Sequence, residues 1–295
     1  MADYQFNISN ARTIGQFAEA TPDSDDLILI MQNGATKKAK VKNMVSALTN
    51  LTLQGAGAHN SLYRGNFLGN EVTDAQRKAI HDGTFDGMYV GDYWIINNIV
   101  WRIMAFDYYY GTGDTVCTTH HVVVMPDGQL YTFKMNDTDT TAGGYVGSKM
   151  YTEGLEQAKT TIIAAFGKDH ILTHRLYLVN ACVDGVPTGE AWFDSQVELP
   201  TEFNMYGSRI MSASPAGGKI NPWDANGNHA YEVDKTQYPA FVANPSLISK
   251  SGQWHWLRSI LSAAGFAYAD GYGSASCSGA SYTSGVRPAF CIYQS

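Results

Sequence analysis

Between residues 266 and 285, 12 of 20 positions are Gly, Ser or Tyr, none is Lys or Arg, and Asp270 is the only acid. Such a stretch reads as short strands joined by Gly/Ser turns. Its alphabet is that of an antibody paratope: Tyr offers a rigid amphipathic surface at low entropy cost, while Ser and Gly supply adaptable hydrogen bonds. Firm pieces rich in aromatic and branched residues flank it, Trp254-His255-Trp256-Leu257-Arg258-Ser259 before and Gly285-Val286-Arg287-Pro288-Ala289-Phe290-Cys291-Ile292 after. Alternate residues of a strand share a face. Tyr268, Asp270, Tyr272 and Ser274 are therefore expected to form an outward ridge, with Ala267, Ala269 and Ala275 mostly inward. Ser276, Ser278, Ser281 and Tyr282 complete the expected contact strip. Gly271 and Gly273 leave room for a bulge that shifts the register by one.

The rest of the composition agrees with a folded, weakly charged surface. Of 295 residues only 16% are charged, against roughly 25% in an average soluble domain. With 6 Trp, 18 Tyr and 12 Phe the chain is too aromatic for intrinsic disorder. Twenty Lys+Arg against 27 Asp+Glu, a net charge of -7, argue against nucleic-acid binding, which needs the opposite balance. The length suits one large or two modest domains, with a core that needs neither disulfide nor metal to hold it. Met1-Ala2-Asp3-Tyr4 opens no signal peptide, and no apolar stretch spans a bilayer. Cys117, Cys182, Cys277 and Cys291 lie far apart without CxxC pairing and are expected as buried thiols.

Three stretches are expected. Residues 1–50 contain the acidic, turn-rich run Ala20-Thr21-Pro22-Asp23-Ser24-Asp25-Asp26, then a strand at 27–31, an Asn33-Gly34 hairpin turn, a returning strand and a short helix over 45–48. A lone hairpin is too small to be stable, so this piece needs a partner. Residues 51–66 read as a small-residue linker. Residues 67–295 read as one α+β domain with short antiparallel strands and about two helices. Thr73-Asp74-Ala75-Gln76 is a capping-box signature for a helix ending near His81. Residues 87–90, 93–96 and 99–106 are strand-like, with Asn97-Asn98 at a tight turn. Residues 118–125 and 129–134 are expected to pair as a hairpin through Pro126-Asp127-Gly128. The spacing of Leu155, Ala158, Ile162 and Phe166 predicts a helix over 152–166, stopped by Gly167, and a further helix is expected within 195–206, near Pro200.

No constellation for catalysis emerges. His120 and His121 fall on opposite faces of a strand and cannot share one metal without distortion. His170 and His174 follow the Gly167 stop, so helical i, i+4 geometry is not expected. The acidic loop Asn136-Asp137-Thr138-Asp139 lacks the Gly and distal Glu of a calcium-binding loop and is expected to be solvated. Asp270-Gly271-Tyr272-Gly273 is a turn without a following helix, not a phosphate cradle. Neither a metal nor a cofactor is expected.

The run Trp256-Leu257-Arg258-Ser259, then the Gly/Ser/Tyr interval, then Gly285-Val286-Arg287-Pro288-Ala289-Phe290 resembles the C-terminal signature of C-type-lectin-like domains in bacteriophage adhesion proteins. That fold is shared with formylglycine-generating enzymes and the phage major tropism determinant. Phe85-Asp86-Gly87-Met88-Tyr89-Val90-Gly91-Asp92-Tyr93-Trp94, Thr118-Thr119-His120-His121-Val122-Val123 and Gly143-Gly144-Tyr145-Val146-Gly147-Ser148 look like further blocks of the same family, from phages and prophages of gut bacteria. The likeness covers roughly residues 62–295. The N-terminal run from Thr21 to Lys38 is similar to the opening of phage fibre and appendage proteins. The Glu-Pro-Asn, Gln-Pro-Asp and Trp-Asn-Asp motifs of calcium-dependent lectins are missing. Cys277 and Cys291 lie where the enzyme branch carries its reactive cysteines, but no helix dipole or basic neighbour is evident to activate either thiol.

The resemblance implies a virion protein, a fibre or adhesin, made in the host cytoplasm and released by lysis. Its lectin-like head, residues 67–295, would bind a bacterial surface glycan or protein, and residues 1–50 would attach to another virion protein. Three-fold fibres of the family imply a homotrimer. The alternatives are a purely structural capsid or tail decoration protein and, further off, a formylglycine-generating-type enzyme.

Overall fold

The computed structural model describes residues 25–32, 35–44, 55–212 and 236–295. The chain divides into two compact units, Met1–Leu53 and Gln54–Ser295. In the first, β1 (Leu27–Gln32) and β2 (Ala35–Lys40) pair antiparallel from Leu27↔Lys40 to Gln32↔Ala35. That register leaves two residues, Asn33 and Gly34, to connect the strands, as the dipeptide predicts. Lys40 and Lys42 both reach the Asp25 carboxylate, at 3.0 and 2.7 Å. Residues 20–24 of the acidic run, Asn33-Gly34 themselves and the helix expected over 45–48 lie outside the described residues.

The second unit begins earlier than expected. Residues 55–66 are not a linker: Gly55–Ser61 forms helix α1, and its His59 is buried and stacked on Tyr89, ring centroids 4.7 Å apart. Asn60 clasps the backbone of Phe106, donating to its carbonyl at 2.9 Å and accepting its N–H at 2.8 Å. Helix α2 (Asp74–His81) starts at Thr73 with both halves of the expected capping box in place.

Two five-stranded sheets follow. The first has β3 (Tyr93–Ile96), β4 (Ile99–Phe106), β5 (Val122–Pro126), β14 (Ala289–Ile292) and β9 (Val197–Glu198), in that order. Asn97 and Asn98 both have positive φ, 53° and 62°, giving the tight β3–β4 turn the sequence predicts. Residues 87–90 form a turn with a single bridge at Val90 rather than a strand. The second sheet has the order β12 (Ala275–Gly279), β11 (Gly265–Ala269), β10 (His255–Ile260), β13 (Thr283–Val286), β6 (Tyr131–Lys134). The expected hairpin between β5 and β6 does not form, because each joins a different sheet. The corner between them is held by buried charge: Arg102 makes two 2.6 Å contacts to the Asp127 carboxylate, and Asp127 N–H reaches Val100 O at 3.0 Å.

Helix α3 (Leu155–Phe166) grows out of a π turn at Met150–Gly154 and ends at Gly167, φ 87°. Its buried face is Leu155, Ala158, Ile162 and Phe166, the stripe the spacing predicts. Phe166 meets Trp101 (5.4 Å) and Phe290 (5.2 Å) edge to face, which seats the helix on the first sheet. Within 195–206 only α4 (Glu202–Tyr206) is helical; Pro200 lies before its Thr201 cap, and Val197–Glu198 is strand. A long hairpin unforeseen in the sequence, β7 (His174–Val183) and β8 (Val186–Ser195), turns at Asp184-Gly185, both with positive φ. One more short helix, α5 (Pro239–Ala243), precedes β10. The whole is an α+β fold.

Candidate functional site

Strands β10 and β13 run parallel, and Gly285 N–H donates to Trp254 O at 3.0 Å. Parallel neighbours start at the same end of a sheet, so Trp254, just before β10, and Tyr282, just before β13, emerge together. Strand β6 lies antiparallel on the other side of β13, with Thr132 opposite Gly285. Between them opens a groove of about 240 Å³ lined by Trp254, Tyr282, Gln129, Thr132, Gln253 and Ser284, among others. Among the described residues no charged side chain lines it. Trp254 is 46% and Tyr282 51% exposed, whereas Ser284 is buried and its Oγ has no hydrogen-bond partner. A Cβ on Gly285 would fall 2.1 Å from Gln129 Oε1 and 2.5 Å from Trp254 O. The floor of the groove therefore needs glycine.

Tyr268 was expected on the outward ridge and lies inside: it is 8% exposed and Trp254 stacks on it, centroids 5.2 Å apart at 13°. Strand β11 sits between β10 and β12, and all five of its residues are buried, so period-two alternation does not sort them into in and out. Trp256, opposite Tyr268, is fully buried with its indole N–H on Phe133 O at 2.9 Å.

The β11–β12 hairpin carries the other expected residues. Ala269 pairs with Ala275, leaving Asp270–Ser274 as the tip. The Asp270 carboxylate is turned inward on the loop, accepting Tyr272 N–H at 2.9 Å and Ser274 N–H at 2.8 Å, and Gly273 takes φ 88°. This Asx-type bracing presents Tyr272 at 91% exposure, with Ser274 exposed beside it. A side chain at Gly271 would meet Gly252 O at 2.5 Å and Trp254 Cδ1 at 3.4 Å, so the tip packs next to the groove. Ser276 and Ser278 are half-buried on β12, opposite Tyr268 and Phe266. Ser281 donates from its N–H (2.9 Å) and hydroxyl (2.7 Å) to Asp139, whose carboxyl is held below the usual range by those bonds. The acidic loop is thus an anchor for the Ser281-Tyr282 corner, and its Asp137 pairs with Lys134 and Lys149.

The remaining candidates are structural in their contacts. His120 Nδ1 lies 2.7 Å from Asp107, and buried His121 uses Nε2 to accept Tyr109 N–H. His174 opens β7 against the Tyr109 ring, while His170 lies in a separate 3₁₀ turn. Among the described residues no group of three or more His, Cys, Asp or Glu is placed to hold a metal. All four cysteines are free; burial pushes the Cys117, Cys182 and Cys291 thiols up, Cys182 to about 11. Cys277 and Cys291 sit on strands of different sheets. Two clefts at the root of β7–β8, about 300 and 330 Å³, are larger than the groove. In the first, Arg175 binds Asp114 (2.7 Å) and Asp194 (3.1 Å); the second is lined by Glu156, Lys159, Asp194 and Glu198 among others. Among the described residues no helix is long and apolar enough to cross a membrane. No protein-family model, no curated protein and no solved structure matches this chain.

The sequence places Trp254 in the firm flank, whereas it is half exposed at the mouth of the groove. Its neighbours Ser251-Gly252-Gln253 are polar turn residues, the signal that the strand starts only at His255.

Proposed function

We propose that this protein is a virion fibre or adhesin whose C-terminal head binds a bacterial surface receptor, a glycan or a surface protein. The observation that carries the reading is Tyr272, fully offered to solvent on a hairpin tip that Asp270 braces from within. A tyrosine on a braced loop offers a rigid amphipathic face at low entropy cost, as contact surfaces use it. Trp254 and Tyr282 extend the same kind of surface. The likeness of the segments around Trp256 and Gly285 to lectin-like phage adhesion domains supports the same reading, and the N-terminal hairpin is the piece that would join the particle and its own copies. The test is adsorption of the purified chain to cells of gut bacteria. Binding that falls sharply in Tyr272→Ala with unchanged thermal stability is the expected result. No binding to any cell that the intact particle adsorbs to would reject it in favour of a decoration role.

A further inference from the structure

We propose that the groove between Trp254 and Tyr282 is a subsite for one neutral pyranose ring of a surface saccharide. The inference rests on the receptor-binding reading and narrows its ligand.

Four features point to this class. First, two exposed aromatics, Trp254 and Tyr282, stand at one opening. An aromatic face carries a negative quadrupole, which suits the electropositive C–H face of a pyranose. Trp254 is held in orientation by its stack on Tyr268, so little is lost in ordering it on binding. Second, the polar lining consists of amides and hydroxyls, Gln129, Gln253, Thr132 and Ser284, which both donate and accept, as ring hydroxyls do. Third, the absence of charge on the lining gives an anionic or cationic ligand no counter-ion. Fourth, β13, which forms the floor, is already paired on both sides, with β10 and β6, so a peptide cannot add a strand at the floor itself. The volume of about 240 Å³ lies below the roughly 300–1,000 Å³ of pockets that enclose a larger ligand, which fits one ring.

The experiment is saturation-transfer NMR on the full chain with the methyl glycosides of glucose, galactose, mannose and N-acetylglucosamine, and with glucuronate as the charged control. At least one neutral glycoside should bind, with Kd on the order of 1 mM for so small a subsite, while glucuronate should not. Tyr282→Ala and Gln253→Ala, both at exposed positions, should each weaken it about tenfold or more; Tyr272→Ala, outside the groove, should leave it unchanged. No transfer to any neutral glycoside, or transfer indifferent to Tyr282 and Gln253, overturns the subsite. Cell adsorption measured on the same proteins separates the two proposals. Adsorption that survives without glycoside binding leaves the adhesin reading standing and removes the sugar; glycoside binding without adsorption does the reverse.

Discussion

Trp254 lies flat against Tyr268, 5.2 Å between ring centroids and 13° from parallel, with Trp254 half in solvent and Tyr268 beneath it. The pair joins the core of the second sheet to its outer surface. It means that the two tyrosines of the 266–285 segment nearest the hairpin tip have opposite roles.

Tyr268→Ala should therefore destabilise the head by about 3 kcal/mol, as loss of a buried aromatic does, and should weaken receptor binding only through Trp254. Tyr272→Ala should leave stability within about 0.5 kcal/mol and reduce receptor binding directly. Chemical unfolding of both variants beside a cell-adsorption assay checks this. Equal stability losses would show that Tyr272 also packs.

Asp92 is a fully buried carboxylate that accepts Arg64 Nε at 3.1 Å and the N–H groups of Asn66 and Tyr89, each at 2.8 Å. It ties the chain after α1 to the turn before β3. Asp92→Ala strands Arg64 and two backbone donors, and should cost about 3–5 kcal/mol. An unfolding midpoint within error of the parent would show that water replaces the carboxylate.

Stability should fall with acid sooner than carboxylate titration alone would predict. Burial, with Arg287 nearby, lowers His255 to about 3, and burial with His121 and Arg258 nearby lowers His174 likewise. Unfolded, each titrates near 6.5. Between these values the unfolded chain binds more protons than the fold. Their contribution is thus complete above about pH 6.5 and is lost as pH drops toward 3, at up to about 1.4 kcal/mol per pH unit for each ring. Denaturant midpoints at pH 7 and pH 5 measure it, and identical midpoints would mean that the rings are protonated in the fold.

Gly185 holds φ 78° at the β7–β8 turn, and a Cβ there would lie 2.2 Å from the Ser262 carbonyl carbon. Gly185→Ala should destabilise by about 1–3 kcal/mol through strain and clash, with the hairpin becoming the first site of proteolysis. Digestion unchanged from the parent would show that the turn moves aside.

The N-terminal unit should make the protein a homo-oligomer, three-fold on the phage-fibre reading. Light scattering on the full chain and on a chain shortened to begin at Gln54, where the second unit starts, should give a trimer and a monomer. A monomeric full chain sinks the expectation, and a trimeric head moves the contacts into residues 54–295.

Features governed by neighbouring residues could be read from the sequence alone. The Thr73 capping box, the Asn97-Asn98 turn, the α3 stripe ending at Gly167 and the Asp270–Ser274 tip all appear where local chemistry puts them, because caps, turns and helix faces depend on contacts within a few residues. The uncharged, aromatic character of the 266–285 surface is likewise a matter of composition. What only the tertiary structure decided depends on strands far apart in the chain. Asp127 and Arg102 pair at the corner where β5 and β6 part into different sheets; His59 is buried from a helix where a linker was expected; and β11 is covered on both faces, so none of its residues is outward. Tyr268 is buried with Trp254 stacked over it and half exposed, and Gly285 N–H meets Trp254 O just before β10 begins. A periodic pattern says which residues share a face, but only what the rest of the chain packs against that face determines whether it meets water.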